Sequence, residues 1–111
     1  MKAKAEINHD DHTRRIWHRP AIIGLEGILL SARESNLLHS DGSIYHQPDN
    51  LCFDPSAGIL YNIEYKGSNN SYKKAYKQLT EQERELRDIF SVPFRVVSLY
   101  VHDNYVVEMI K

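Results

Sequence analysis

Three residues near the middle of the chain have the types and spacing for hydrolytic chemistry on a phosphate: Asp49, Glu64 and Lys66. They bracket two alternating apolar runs, Asn50 to Phe53 and Ile59 to Lys66, separated by "DPSAG", whose residues all favour turns. Side chains alternate along a strand, so Asn62, Glu64 and Lys66 share one face and Tyr61, Ile63 and Tyr65 the other. A four-residue loop, Pro55 to Gly58, sets Asp49 opposite Glu64; a five-residue loop slips the register by one. In either register the carboxylates are close, and paired carboxylates repel unless a proton or a cation separates them. A hard cation such as Mg²⁺ takes one or two carboxylates and keeps several waters. Lys66 is then placed to orient a metal-bound water or to stabilise charge developing on a phosphate. The plain alternative is a cross-strand surface ion pair, worth less than ~1 kcal/mol.

These residues must be positioned by the elements around them. Met1 to about Thr13 is polar, charged and His-rich, and residues 1–20 read as a flexible polar arm. From Ala21 the pattern changes: Ile22, Leu25, Leu29 and Ala32 have helical spacing, and Pro20 suits a helix start. This predicts a helix from about Ala21 to Leu38, weakened by Gly24 and Gly27 at roughly 1 kcal/mol each relative to alanine. A turn at Asp41-Gly42 and a short strand, Ser43 to Gln47, precede the hairpin. "GSNNS" breaks the sheet, and Asn70 or Ser71 can cap the next helix. That helix carries Tyr72, Ala75, Tyr76, Leu79, Leu86 and Phe90 at helical intervals and stops at Pro93. "RVVSLYV" and "VVEMI", joined at "HDNY", complete the chain as strands. The expected fold is α/β, a single mixed central sheet flanked by helices in the order α-β-β-β-α-β-β, with residues 21–111 as one domain.

Pro48-Asp49, a hairpin and then "IEYK" (Ile63 to Lys66) resemble the PD-(D/E)XK nuclease superfamily. Its members include Holliday-junction resolvases, type II restriction enzymes and compact virus-type replication-repair nucleases. The resemblance covers most of the chain and implies a restriction-endonuclease-like core and a Mg²⁺- or Mn²⁺-dependent DNA endonuclease leaving a 5′-phosphate. Carried over by position, Asp49 and Glu64 bind the metal, the Tyr65 carbonyl joins them, and Lys66 assists the attacking water. Glu26 matches a first-helix glutamate found in many members; a helix-edge glutamate reaching solvent explains it as well. Gln78, in "KKAYKQL", is a candidate for a glutamine that some members place on the helix after the triplet. The run "GSNNSYKK" departs from the basic-glycine pattern of archaeal junction resolvases, so the resemblance does not select a subfamily.

Other features bear on partners. Lys73 and Lys77 share a helix face and suit a phosphate backbone, with Lys74 on a solvated face. Arg14 and Arg15, with Arg19, form a second basic cluster on the arm. "HDDH" (His9 to His12) has metal-ligand residue types, but in a flexible arm it would bind only adventitiously. Cys52 reads as a buried small apolar group. With one cysteine in 111 residues and a formal net charge of −1, a reducing, cytoplasmic setting is expected, and a DNA partner must be held by local patches or metal ions. Residues 1–20 contain no apolar core of a signal peptide, and no run is long enough for a membrane span. Two-fold DNA substrates make a homodimer the expected assembly. The contrasting expectation is a non-catalytic nucleic-acid-binding or oligomerising module on the same fold.

Overall fold

A computed structural model describes residues 4–38, 41–67, 72–89, 94–103 and 105–110. The first element is a helix, α1 (Lys4–His18), followed by a single 3-10 turn, Pro20–Ile23. The strands are β1 (Leu30–Arg33), β2 (Leu37–Leu38), β3 (Ile44–His46), β4 (Asn50–Asp54) and β5 (Ile59–Lys66). A second helix, α2 (Tyr72–Ile89), leads to β6 (Arg95–His102) and β7 (Val106–Met109). Five strands form one mixed sheet in the order β1-β4-β5-β6-β7, and β2 and β3 pair separately. The β1, β4 and β5 pairings are antiparallel, β5 and β6 are parallel, and β6 and β7 are antiparallel. A parallel neighbour needs a crossover, and α2 supplies it.

The α/β class therefore holds, but the beginning of the chain differs from expectation. The segment read as a helix from Ala21 to Leu38 is one 3-10 turn, a loop and two strands. Two glycines explain the reversal. Gly24 has φ +82° and closes the 3-10 turn, with its N–H bonded to Ala21 O. Gly27 has φ +75°. Left-handed positions this close together cannot belong to a right-handed helix, and they suit glycine. The apolar spacing from Ile22 to Ala32 thus serves a loop and an edge strand. Conversely, residues 4–18 of the arm are helical, and Ile16 and Thr13 are fully buried. The predicted strand at Ser43 to Gln47 exists as β3, but it pairs with β2 outside the main sheet. The cap at Asn70 or Ser71 and the helix stop from Phe90 to Pro93 lie outside the described residues.

The sheet is covered on both faces. On one side Ile16 of α1 packs with Cys52, Ile63, Tyr65, Val97 and Leu99. Each fully buried aliphatic side chain there contributes roughly 1.5–3 kcal/mol. Polar bonds pin the helix as well. Asn50 Nδ2 donates to Thr13 O at 3.0 Å, Arg33 Nε to Thr13 Oγ1 at 3.0 Å, and Trp17 Nε1 to Ser31 O at 3.0 Å. On the other side α2 buries Ala75, Leu79, Gln82 and Leu86, spaced at four, three and four residues. That face of the sheet contributes Leu60, Val96 and Tyr100, and Asn62 Nδ2 donates to Leu79 O at 3.3 Å.

Candidate active site at the end of the hairpin

The hairpin register is the one a four-residue loop dictates: Asp54 faces Ile59 and Asn50 faces Ile63. Extended by one step, it sets Asp49 opposite Glu64. β4 begins at Asn50 while β5 runs on to Lys66, so Tyr65 would have no ladder partner on that side. The Asp49 side chain takes the vacant rung, with Oδ2 accepting from Tyr65 N at 2.7 Å. The N–H and C=O of one strand residue point toward the same neighbour. The Tyr65 carbonyl is therefore directed to the edge where Asp49 sits.

Both carboxylates are buried, Asp49 at 8% exposure and Glu64 at 2%. Lys66 Nζ lies 3.5 Å from Glu64 Oε1. Glu64 Oε2 is buried without a hydrogen-bond partner among the described residues. Burial, and secondly the Asp49 charge, push the Glu64 carboxyl up to about 8, against a partial pull downward from Lys66. A buried carboxylate facing another is costly to ionise, so the pair retains a proton where an exposed pair would not.

Among the described residues no group of three or more His, Cys, Asp or Glu side chains is arranged to hold a metal ion. A divalent cation at this end of the sheet would rest on two carboxylates, a backbone carbonyl and water. That donor set fits Mg²⁺ or Mn²⁺, and the unpartnered Glu64 oxygen is an acceptor such an ion would satisfy.

His9, expected from "HDDH" to bind metal only adventitiously on a flexible arm, lies on α1 beside Asp49. Its Nε2 lies 3.2 Å from Asp49 Oδ2, and its pKa is raised chiefly by that hydrogen bond, with burial opposing. His12, the other end of "HDDH", stacks on Tyr65 with ring centroids 4.7 Å apart. The signal was present as His9, Thr13 and Ile16 at helical spacing, but two of the three are polar and gave no apolar stripe.

The remaining candidates distribute as follows. Glu26 is exposed in the loop before Gly27. A Cβ on Gly27 would stand 3.2 Å from Asp54 Oδ2, at the opposite end of β4, roughly 17 Å along the strand from Asp49. Glu26 is therefore neither on the first helix nor brought to Asp49 and Glu64. Gln78 is half-buried on α2. One turn further, Gln82 is fully buried, and both its amide atoms lack partners among the described residues. Lys73 and Lys77 are exposed on the first turns of α2. Arg14 and Arg15 are exposed on α1, with Arg15 paired to Asp11 at 2.9 Å. Cys52 is buried, as expected. No described helix is long and apolar enough to cross a membrane. Comparisons with protein-family models, curated proteins and solved structures return no match for this chain.

Proposed function

We propose that the chain is a metal-dependent endonuclease that hydrolyses phosphodiester bonds in DNA. The observation that carries this reading is the buried Asp49–Glu64 pair, with one Glu64 oxygen unpartnered among the described residues and Lys66 Nζ 3.5 Å from the other. The strand order supports it: a helix, three antiparallel strands, a crossover helix and a parallel strand resemble the core of PD-(D/E)XK nucleases. Glu64 and Lys66 lie toward the carboxyl end of β5, the end at which open α/β sheets bind ligands.

In this reading Asp49, Glu64 and the Tyr65 carbonyl hold Mg²⁺ or Mn²⁺. A bound ion would lower the pKa of a water and offset charge on the phosphate. Lys66 has three donors, of which Glu64 takes one. The others are available to hold the attacking water and a phosphate oxygen. Water adds to phosphorus and releases a proton to solvent, the bond to the 3′ oxygen breaks, that oxygen takes up a proton from solvent, and the product carries a 5′-phosphate. His9, bonded to Asp49, holds that carboxylate against α1. A two-fold assembly would serve cleavage of both strands.

The test is incubation with supercoiled plasmid and with a four-way junction in Mg²⁺, Mn²⁺ or EDTA, for the wild type and for Asp49→Ala and Lys66→Ala. Metal-dependent nicking lost in both variants supports the proposal. Cutting that persists in EDTA or in the variants would sink it, and so would the absence of cutting on every DNA form tried.

A further inference from the structure

At the same end of the molecule, α2 leaves two large aromatic rings in water. Tyr72 and Tyr76 are each 40% exposed, one turn apart, with ring centroids separated by 6.2 Å. Tyr72 is anchored, because its ring meets Tyr100 edge-on at 5.6 Å. Tyr100 is fully buried and is the register partner of Glu64 on the neighbouring parallel strand. Strands lie roughly 4.8 Å apart, so the ring that Tyr72 meets belongs to the residue beside Glu64 on the adjacent strand. On the adjoining face of the same two turns stand the exposed Lys73 and Lys77.

Building on the nuclease reading, we propose that Tyr72 and Tyr76 form a stacking platform for an unpaired nucleotide next to the scissile phosphate. The preferred substrate is then a nucleic acid with single-stranded character. A base inside a duplex has both faces covered by its neighbours, whereas an unpaired base offers a face to an aromatic ring. Aromatic rings interleaved with lysines are the combination that tracks a single strand: the rings take bases and the ammonium groups take the backbone. An i,i+4 tyrosine pair also steadies a helix. That role alone would require neither the anchoring on Tyr100 beside Glu64 nor the flanking lysines. A base held on this platform would adjoin the bond that Asp49, Glu64 and Lys66 act on.

The experiment is fluorescence anisotropy in EDTA, where no metal-dependent cutting occurs. The probes are a fluorescein-labelled single strand, the same strand in a blunt duplex, and a splayed fork. Wild type, Tyr76→Ala and Tyr76→Phe are compared; Tyr76 is exposed, so its replacement leaves the fold intact, and a melting curve verifies this. The single strand and fork should bind about tenfold more tightly than the blunt duplex, and Tyr76→Ala should lose about tenfold on those two probes alone. Tyr76→Phe, which keeps the ring, should behave as wild type. Equal binding of duplex and single strand, or no loss in Tyr76→Ala, overturns the platform. A separate cleavage arm in Mg²⁺ distinguishes the two proposals. Cutting without ring-dependent binding removes the platform alone, and ring-dependent binding without cutting removes the nuclease reading alone.

Discussion

Asp49 precedes and Asp54 ends the same short strand, β4, and they are equally buried, at 8% exposure each, yet the chain accommodates them in opposite ways. Asp54 sits at the hairpin turn. Its Oδ1 accepts from Ser56 N at 3.1 Å, Ser56 Oγ at 2.8 Å and Ala57 N at 3.1 Å. Gly27 leaves room for the other oxygen. The turn provides the donors that water would have given, so the charge is matched locally. At the far end Asp49 faces Glu64, and one of the Glu64 oxygens has no partner among the described residues. One carboxylate is a finished structural element. The other belongs to a pair whose demand for positive charge Lys66 and His9 meet only in part.

The largest effect should come from exchanging each carboxylate for its amide. Glu64→Gln is expected to reduce metal-dependent cleavage by about a thousandfold or more, because an ion held at a reacting phosphate supplies several kcal/mol. Asp54→Asn keeps an oxygen for the turn donors and should cleave at the wild-type rate. Plasmid-nicking rates for the two variants, measured side by side, decide this. Comparable losses in both would erase the distinction between the two ends.

Stability should move the other way. Asp54→Ala removes the charged acceptor of three hydrogen bonds that hold the turn, at a cost of about 1–3 kcal/mol and a melting temperature lower by several degrees. Glu64→Gln removes a carboxyl that is costly to ionise and should melt higher than wild type at pH 8. Thermal melts at that pH verify the opposite signs; a Glu64→Gln protein melting well below wild type would mean that Glu64 is a structural anchor.

The same contrast predicts a pH dependence. In the folded chain Glu64 holds its proton up to about pH 8, whereas its unperturbed value is 4.5. Between these values the unfolded state binds fewer protons than the folded one, so stability is full below pH 4.5 and falls as pH rises toward 8. His9 acts in the same direction: its raised pKa gives stability that is complete below pH 6.5 and is lost as pH rises through the folded value. Urea titrations across this range should show the decline, flattened in Glu64→Gln. A stability that increases steadily from pH 5 to 8 would contradict the assignment.

The sequence made the hairpin legible because strand alternation, turn residues and loop length all agree, and together they determine which residues stand opposite one another. α2 was readable from its apolar stripe, though Gln82 lies on that stripe as a polar member that apolar counting skips. α1 was not readable, since the residues that tie it down are largely polar. His9 meets Asp49, Thr13 meets Arg33 and Asn50, and only Ile16 and Trp17 resemble a hydrophobic face. The false helix at Ala21 to Leu38 has the converse cause, an apolar spacing that two left-handed glycines prevent from winding. Glu26 lies with that segment, away from the site, while His9, in a stretch whose polarity suggests a loose arm, stands at Asp49.

The smallest predicted effect concerns how the site end, and not the turn end, meets a charged partner. Lys73 and Lys77 lie on the exposed face of the first turns of α2, beside Tyr72 and Tyr76 and away from Asp54. Lysines on a phosphate backbone read no sequence; they release counterions, and each contact adds close to one to the slope of log affinity against log salt. The double variant Lys73→Ala, Lys77→Ala should therefore weaken binding of every DNA form by a similar factor and reduce the salt slope by about two. Arg15 is already engaged with Asp11, so Arg15→Ala should change the slope by much less. Anisotropy titrations at several salt concentrations compare the three proteins. An unchanged slope in the lysine variant would move the backbone contact off α2, and a larger change in Arg15→Ala would move it to α1.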